Sequence, residues 1–114
     1  MLKPKRNGLP EEVWKELLIE YRASIPEKLK SLQVATLALQ QEVTVEHLEK
    51  LRFIVHKIGG SAAMYGYSRV SELCLDWQRQ LDKLIRNFPD CIQDLEWQKR
   101  LSSLFDQFHK EFLG

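Results

Sequence analysis

Apolar residues recur at intervals of three and four along most of the chain, which is the spacing of one face of an α-helix. The clearest of these stripes consists of Leu48, Leu51, Val55, Ile58 and Ala62. No segment shows the alternation of apolar and polar residues that is typical of a half-buried strand. The hydrophobic pattern therefore predicts an all-α protein.

Prolines, glycines and capping residues divide this pattern into five predicted helices. We expect Thr44 to cap the third helix and Ser68 to cap the fourth. The helices are expected over about residues 10–22, 26–41, 44–62, 68–87 and 91–112. Four long amphipathic helices with short links predict an antiparallel four-helix bundle with a short extra N-terminal helix. Residues 1–9 are expected to be a flexible basic leader and residues 10–114 the helical bundle domain.

Composition narrows the class of protein. The chain has 114 residues, 44% of them hydrophobic, which suits one domain with a packed core. A net charge of +1 argues against a nucleic-acid partner, and no apolar run is long enough to span a membrane. Cys74 and Cys91 lack the spacing of a disulfide framework or a zinc knuckle. We expect a cytoplasmic monomer, and the N-terminal Met together with a last helix close to the C-terminus favours a free-standing domain.

The third helix has an unusual outer face. On a helical wheel, His56 lies about 120° from the centre of the apolar stripe and should point to solvent. The residues on the same side are Val45, Glu49, Arg52, Phe53, Gly59, Gly60 and Ala63. Each glycine costs about 1 kcal/mol relative to Ala inside a helix, so the adjacent pair needs a compensating role. Either a second helix approaches closely or a partner needs clearance near His56, and the wheel favours clearance.

An outward histidine can act as a nucleophile that carries a phosphoryl group, as a general base or as a metal ligand. His47 lies about 180° from His56 on the wheel, so the two cannot share a metal ion. His109 belongs to another helix, and a metal-binding bundle that uses His56 and His109 stays an alternative. The sequence has no nucleotide-binding loop and no metal site is expected, so any phosphate must come from a partner.

The segment from His56 to Tyr67, HKIGGSAAMYGY, followed by Leu73-Cys74, resembles the signature of histidine-containing phosphotransfer (Hpt) domains. The likeness extends over about residues 10–112 of the chain. It implies a four-helix bundle that acts as a phosphocarrier in a His-Asp phosphorelay. In this interpretation His56 is the phosphorylated residue, Gly60 leaves space for a receiver domain, and Gly66 ends the helix in a turn.

The resemblance also implies the partners. His56 would accept a phosphoryl group from the aspartyl phosphate of a response-regulator receiver domain and pass it reversibly to another receiver. A hybrid sensor histidine kinase is a further expected partner. The chain itself would have no kinase activity and no cofactor, because the divalent cation belongs to the receiver. The residues expected to dock the receiver are Val45, Glu49, Phe53, Gly59 and Ala63.

The sequence departs from the family pattern at one position. Many members have Lys three residues after the histidine, where this chain has Gly59. Lys57 and Arg52 are therefore the candidate phosphate-neutralising residues, with Glu49 as a possible ion-pair partner of Arg52. Gln78 on the fourth helix is the candidate hydrogen-bond partner of the imidazole. The missing Lys also supports an alternative, a non-phosphorylated Hpt-like module that docks receiver or kinase domains.

Overall fold

The computed structural model describes residues 8–114, which form an all-α bundle with extents of 51 × 22 × 21 Å. A 3-10 turn, Asp90–Gln93, precedes the last two helices. The α-helices are α1 (Glu11–Gln41), α2 (Val45–Ala62), α3 (Ser68–Arg86), α4 (Leu95–Leu101) and α5 (Leu104–Leu113). Residues 1–7 of the expected leader lie outside the described residues. None of the described helices is long and apolar enough to cross a membrane.

The first difference from the sequence prediction is the continuity of α1. The two helices expected before and after residues 23–25 are one 31-residue helix with Pro26 inside it. Pro26 is exposed, so the carbonyl group that loses its amide donor there can be hydrated. The buried face of α1 continues across the proline with Tyr21, Ile25 and Leu29. Core packing on this face therefore stabilises the helix at Pro26. The short extra N-terminal helix is therefore the first third of α1.

The second difference is the division of the last helix. The single helix expected over residues 91–112 consists of the 3-10 turn, α4 and α5. Asp94 caps α4 by accepting a hydrogen bond from the Glu96 amide. The hydroxyls of Ser102 and Ser103 donate to the carbonyl oxygens of Lys99 and Arg100, at 2.6 and 2.9 Å. Such local hydrogen bonds compete with helix continuation, which explains the break between α4 and α5.

The helix that carries His56 follows its predicted boundaries closely. Thr44 caps α2 by accepting a hydrogen bond from the His47 amide at 3.0 Å, and every member of the predicted apolar stripe of α2 is buried. The expectation that Ser68 caps the next helix is wrong by one position, since Ser68 is the first residue of α3 and Tyr67 is its N-cap. Gly66 lies between the helices with φ +88°, a left-handed conformation that Gly adopts without strain. The expected turn at Gly66 is therefore confirmed.

An aromatic stack joins α1, the α2–α3 loop and α5 at one end of the bundle. Tyr65 lies between Trp14 and Tyr21, with ring centroids at 5.3 and 4.2 Å and nearly parallel planes. Tyr67 contacts Tyr21 and Phe112 with tilted rings at 5.8 and 5.3 Å. These rings fix the loop that follows α2, and with it the C-terminal end of the helix that presents His56.

Candidate functional site

His56 lies on the exposed side of α2, as expected, and its imidazole faces α3. Its Nδ1 is 3.2 Å from Oε1 of Gln78. An amide oxygen can only accept a hydrogen bond, so Nδ1 is the ring nitrogen that carries hydrogen in this arrangement. In the neutral ring, the other nitrogen, Nε2, then keeps its lone pair. The geometry therefore provides a histidine with a fixed orientation and one nucleophilic nitrogen.

The two glycines after His56 have different surroundings. A Cβ atom on Gly59 would lie 2.9 Å from Cβ of Cys74 on α3, whereas a Cβ on Gly60 would meet no atom within 4 Å. Gly59 therefore allows α2 and α3 to approach closely, and Gly60 leaves open space beside the histidine. The expectation that both glycines provide clearance is wrong for Gly59, because a wheel of α2 alone does not locate α3.

A small cleft of ≈ 220 Å³ lies beside the imidazole. It is lined by His56, Gly59, Gly60, Ser71, Cys74, Leu75 and Gln78. Leu75 is half exposed at 51%, and the sequence interpretation did not include it. The sequence does contain a signal for Leu75, because it precedes Gln78 by three residues and thus lies on the same face of α3.

Arg52 forms an ion pair with Asp82 of α3, through Nε and Oδ1. The expectation that Glu49 pairs with Arg52 is therefore wrong, since the partner comes from the neighbouring helix. Both members of the pair stay at the surface, with side chains 39% and 35% exposed. Asp82 follows Gln78 by four residues, so one face of α3 supplies a partner to Arg52 and a partner to His56.

These contacts define what we term the α2–α3 seam. It consists of Gly59 against Cys74, His56 with Gln78, and Arg52 with Asp82. The residue numbers fall along α2 as they rise along α3, which is the register of an antiparallel helix pair. Burial raises the pKa of the Cys74 thiol to about 12, as expected for a sulfur enclosed in this contact.

The other side of α2 faces α1 and is more open. A cleft of ≈ 550 Å³, which we term the α1 groove, is lined by Ser24, Glu27, Lys28, Ser31, Phe53, Ile54, Lys57, Ile58 and Ser61. Phe53 is 59% exposed, and the Lys57 ammonium lies 5.5 Å from the centre of its ring. Partial burial, followed by the charge of Lys57, lowers the pKa of Lys28. Lys57 is thus on the groove side, away from the contact between His56 and Gln78.

The remaining predicted site residues lie around α2 without forming a cluster. Val45 is half-buried in the first turn, and Glu49 and Ala63 are exposed. His109, considered with His56 as a metal ligand, lies on α5 beside the Phe105 ring. Among residues 8–114, no three His, Cys, Asp or Glu side chains come together as a metal site.

The comparison with family models places this arrangement in a known group. The model of the Hpt domain family matches residues 16–110, which include the whole seam and most of the bundle. Comparisons with curated proteins and with solved structures gave no match. Hpt domains are helical phosphocarriers that interact with receiver domains and histidine kinases in His-Asp phosphorelays. Because the match covers most of the sequence and the fold is the helical bundle of that group, this chain belongs to the Hpt domain family.

Proposed function

We propose that this chain is a phosphocarrier whose His56 accepts a phosphoryl group from the aspartyl phosphate of a receiver domain and passes it to another receiver. The observation that carries the proposal is the exposed imidazole whose Nδ1 is held by Gln78 at 3.2 Å. That hydrogen bond leaves the lone pair of Nε2 free for attack. Gly60 keeps the space beside the ring open for the incoming domain.

The transfer step follows from this orientation. The Nε2 lone pair attacks phosphorus in line with the bond to the aspartyl oxygen. The N–P bond forms as the P–O bond breaks, and the aspartate leaves with the bonding electrons as a carboxylate. No proton has to move, because Nδ1–H stays bonded to Gln78 while the ring becomes a phosphoimidazolium. The reverse reaction uses the same geometry, so transfer is reversible.

Two apolar side chains support receiver docking at this face. Phe53 of α2 is 59% exposed and Leu75 of α3 is 51% exposed. The small residues Gly60 and Ala63 are also exposed on α2. An interface built on this patch suits a transient signalling contact, which buries roughly 1,200 Å² in total or less. Brief docking is what a carrier that must release each partner requires.

The test is phosphoryl transfer from a ³²P-labelled receiver domain at neutral pH. We expect the chain to take up a label that is acid-labile and base-stable, as a phosphohistidine is. His56→Gln should abolish the label and leave helicity unchanged by circular dichroism. His47→Gln is the matched control, because His47 is on the same helix with its ring bonded to the Glu42 carbonyl. Uptake by His56→Gln, or no uptake from any cognate receiver, would contradict the proposal.

A second candidate function is a docking module that carries no phosphate. It is favoured by Gly59, which stands where many members have Lys. This module would bind unphosphorylated receiver or kinase domains equally well with His56 or with Gln at that position. The labelling experiment separates the two functions, because only the phosphocarrier takes up label at His56.

A further inference from the structure

We propose that Asp82 is a positioning residue that holds Arg52 where its guanidinium neutralises the phosphoryl group on His56. The pair would take over the task of the lysine that many Hpt domains have three residues after the histidine. This inference rests on the proposed phosphorylation of His56 and adds the cation that the sequence alone did not assign.

The α2–α3 seam places the ion pair next to the histidine. Arg52 precedes His56 by four residues on α2, and Asp82 follows Gln78 by four residues on α3. Residues four apart on a helix are neighbours on one face, separated by about one turn, or 5.4 Å. The ion pair is therefore the next contact along the seam after the hydrogen bond of His56.

The direction of helical side chains brings a phosphoryl group towards Arg52. The Cα–Cβ bonds of an α-helix tilt towards its N-terminus, so a side chain covers the turn before its own Cα. For His56 that preceding turn contains Arg52 and Phe53. A phosphoryl group on Nε2 extends this side chain further over that turn, where the Arg52 side chain begins.

The guanidinium keeps donors available for the phosphoryl oxygens. Arginine has five N–H donors, and within residues 8–114 the Arg52 side chain makes one hydrogen bond, from Nε to Asp82. The four N–H groups on the terminal nitrogens can therefore reach an anion while Asp82 fixes the planar group. The pair is more than one-third exposed on average, so a phosphoryl group can approach it from solvent.

The other cationic positions near His56 are less suitable. A side chain at position 59 would start 2.9 Å from Cβ of Cys74, so a lysine there would force α2 and α3 apart. Lys57 lies over the Phe53 ring on the side of the α1 groove. Lys57 and Arg52 are the two candidate cations from the sequence. Of these, Arg52 has its ion-pair partner on α3, the helix that also carries Gln78.

The experiment loads His56 chemically with phosphoramidate, a small phosphodonor, and follows the phosphoryl group by ³¹P NMR. In the wild-type chain we expect Arg52 to lower the last pKa of the phosphoryl group by about half a unit relative to Arg52→Gln. Asp82→Asn should remove part of that shift, and Arg52→Lys should retain part of it. Lys50→Gln, which removes an exposed positive charge elsewhere on α2, should leave the wild-type value unchanged.

Transfer kinetics provide the second measurement. Phosphoryl transfer from a receiver should slow about tenfold in Arg52→Gln and several-fold in Asp82→Asn, and the double variant should be no slower than Arg52→Gln. A merely structural role would change thermal stability without moving the ³¹P titration. An Arg52→Gln chain with wild-type titration and rate would overturn the inference. Chemical loading without uptake from any receiver would overturn the proposed relay function, and the ³¹P titration would still decide the role of Arg52.

Discussion

The two long sides of α2 are built differently. Towards α3, the helix makes close and specific contacts, in which Gly59 meets Cys74 and the side chains of Arg52 and His56 each have one partner. Towards α1, it leaves a groove of ≈ 550 Å³ with Phe53 and Lys57 at its surface. The histidine takes its orientation from the first side, while the second side provides an aromatic surface that can adjust to a partner.

This difference separates orientation from recognition. A nucleophile has to be held within narrow limits of distance and angle for in-line transfer, which requires fixed partners. A surface that meets more than one receiver benefits from side chains that can repack, such as an exposed phenylalanine beside a flexible lysine. Each of the following substitutions or measurements affects mainly one of the two sides.

The largest effect is expected for the Cys74 thiol in the seam. Burial raises its pKa from the ordinary 9.0 to about 12, so the reactive thiolate is about a thousandfold scarcer near neutral pH. We expect thiol labelling of the folded chain, resolved from Cys91 by peptide mass spectrometry, to be slower than in urea by at least that factor. The stabilisation from thiol burial is complete below pH 9 and is lost as the pH rises towards 12, because the unfolded chain releases the proton first. Equal labelling rates in folded and unfolded chain would show that the seam is open.

Phe53→Ala should weaken receiver binding about tenfold, because an exposed aromatic side chain at an interface contributes more than about 1 kcal/mol when buried. Isothermal titration calorimetry with an unphosphorylated receiver measures this loss. Ile19→Ala is the matched control, since Ile19 is 65% exposed on α1 outside the groove lining. An equal loss in both variants would show that the groove side is not specific for the receiver.

Gly59→Ala and Gly60→Ala should change stability in opposite directions. Alanine gains about 1 kcal/mol of helix propensity over glycine at either position. At position 59 the new Cβ would meet Cys74, and overpacking costs about 1–3 kcal/mol, so we expect a net loss of about 1 kcal/mol. At position 60 no contact opposes the gain. Urea unfolding of both variants measures the difference in their free energies of unfolding. A stabilised Gly59→Ala chain would show that the seam can accommodate an additional methyl group without strain.

The smallest effect is expected for Gln78→Leu, which removes the acceptor from Nδ1 of His56. One neutral hydrogen bond contributes about 0.5–1.5 kcal/mol, so transfer should slow two- to tenfold while receiver binding is retained. Stopped-flow or quenched-flow transfer assays distinguish the two quantities. Gln80→Leu is the control, because the Gln80 amide bonds to Asp76 within α3. An unchanged transfer rate in Gln78→Leu would mean that the ring is oriented without this contact.

The sequence predicted those features of α2 that depend on this helix alone. The buried stripe of α2 and the outward position of His56 follow from helical periodicity alone. Pro26 predicts a helix boundary because proline disfavours a helix interior, but the buried face of α1 stays in phase across Pro26 and its packing prevails. The break at Ser102-Ser103 was not predicted. Its signal in the sequence is a pair of adjacent serines, whose hydroxyls can donate hydrogen bonds to carbonyl oxygens of the preceding turn.

Features that depend on two helices were beyond the sequence pattern. The role of Gly59 depends on the distance to Cys74, and the partner of Arg52 is thirty positions away at Asp82. A wheel shows which residues share a face, but it does not give the register of a neighbouring helix. Gln78 was accessible only through the family resemblance, and the structure places its side chain beside the imidazole.

The aromatic stack gives the protein a built-in optical probe. Trp14 and Tyr65 have ring planes 7° apart, so their transitions are held in a fixed mutual orientation that contributes to the near-ultraviolet dichroism. Trp77 and Trp97 are packed elsewhere, and Trp14 alone among the three tryptophans belongs to the stack. With Trp77 and Trp97 replaced by phenylalanine, the emission of Trp14 would therefore report when the first turns of α1 detach from the loop after α2.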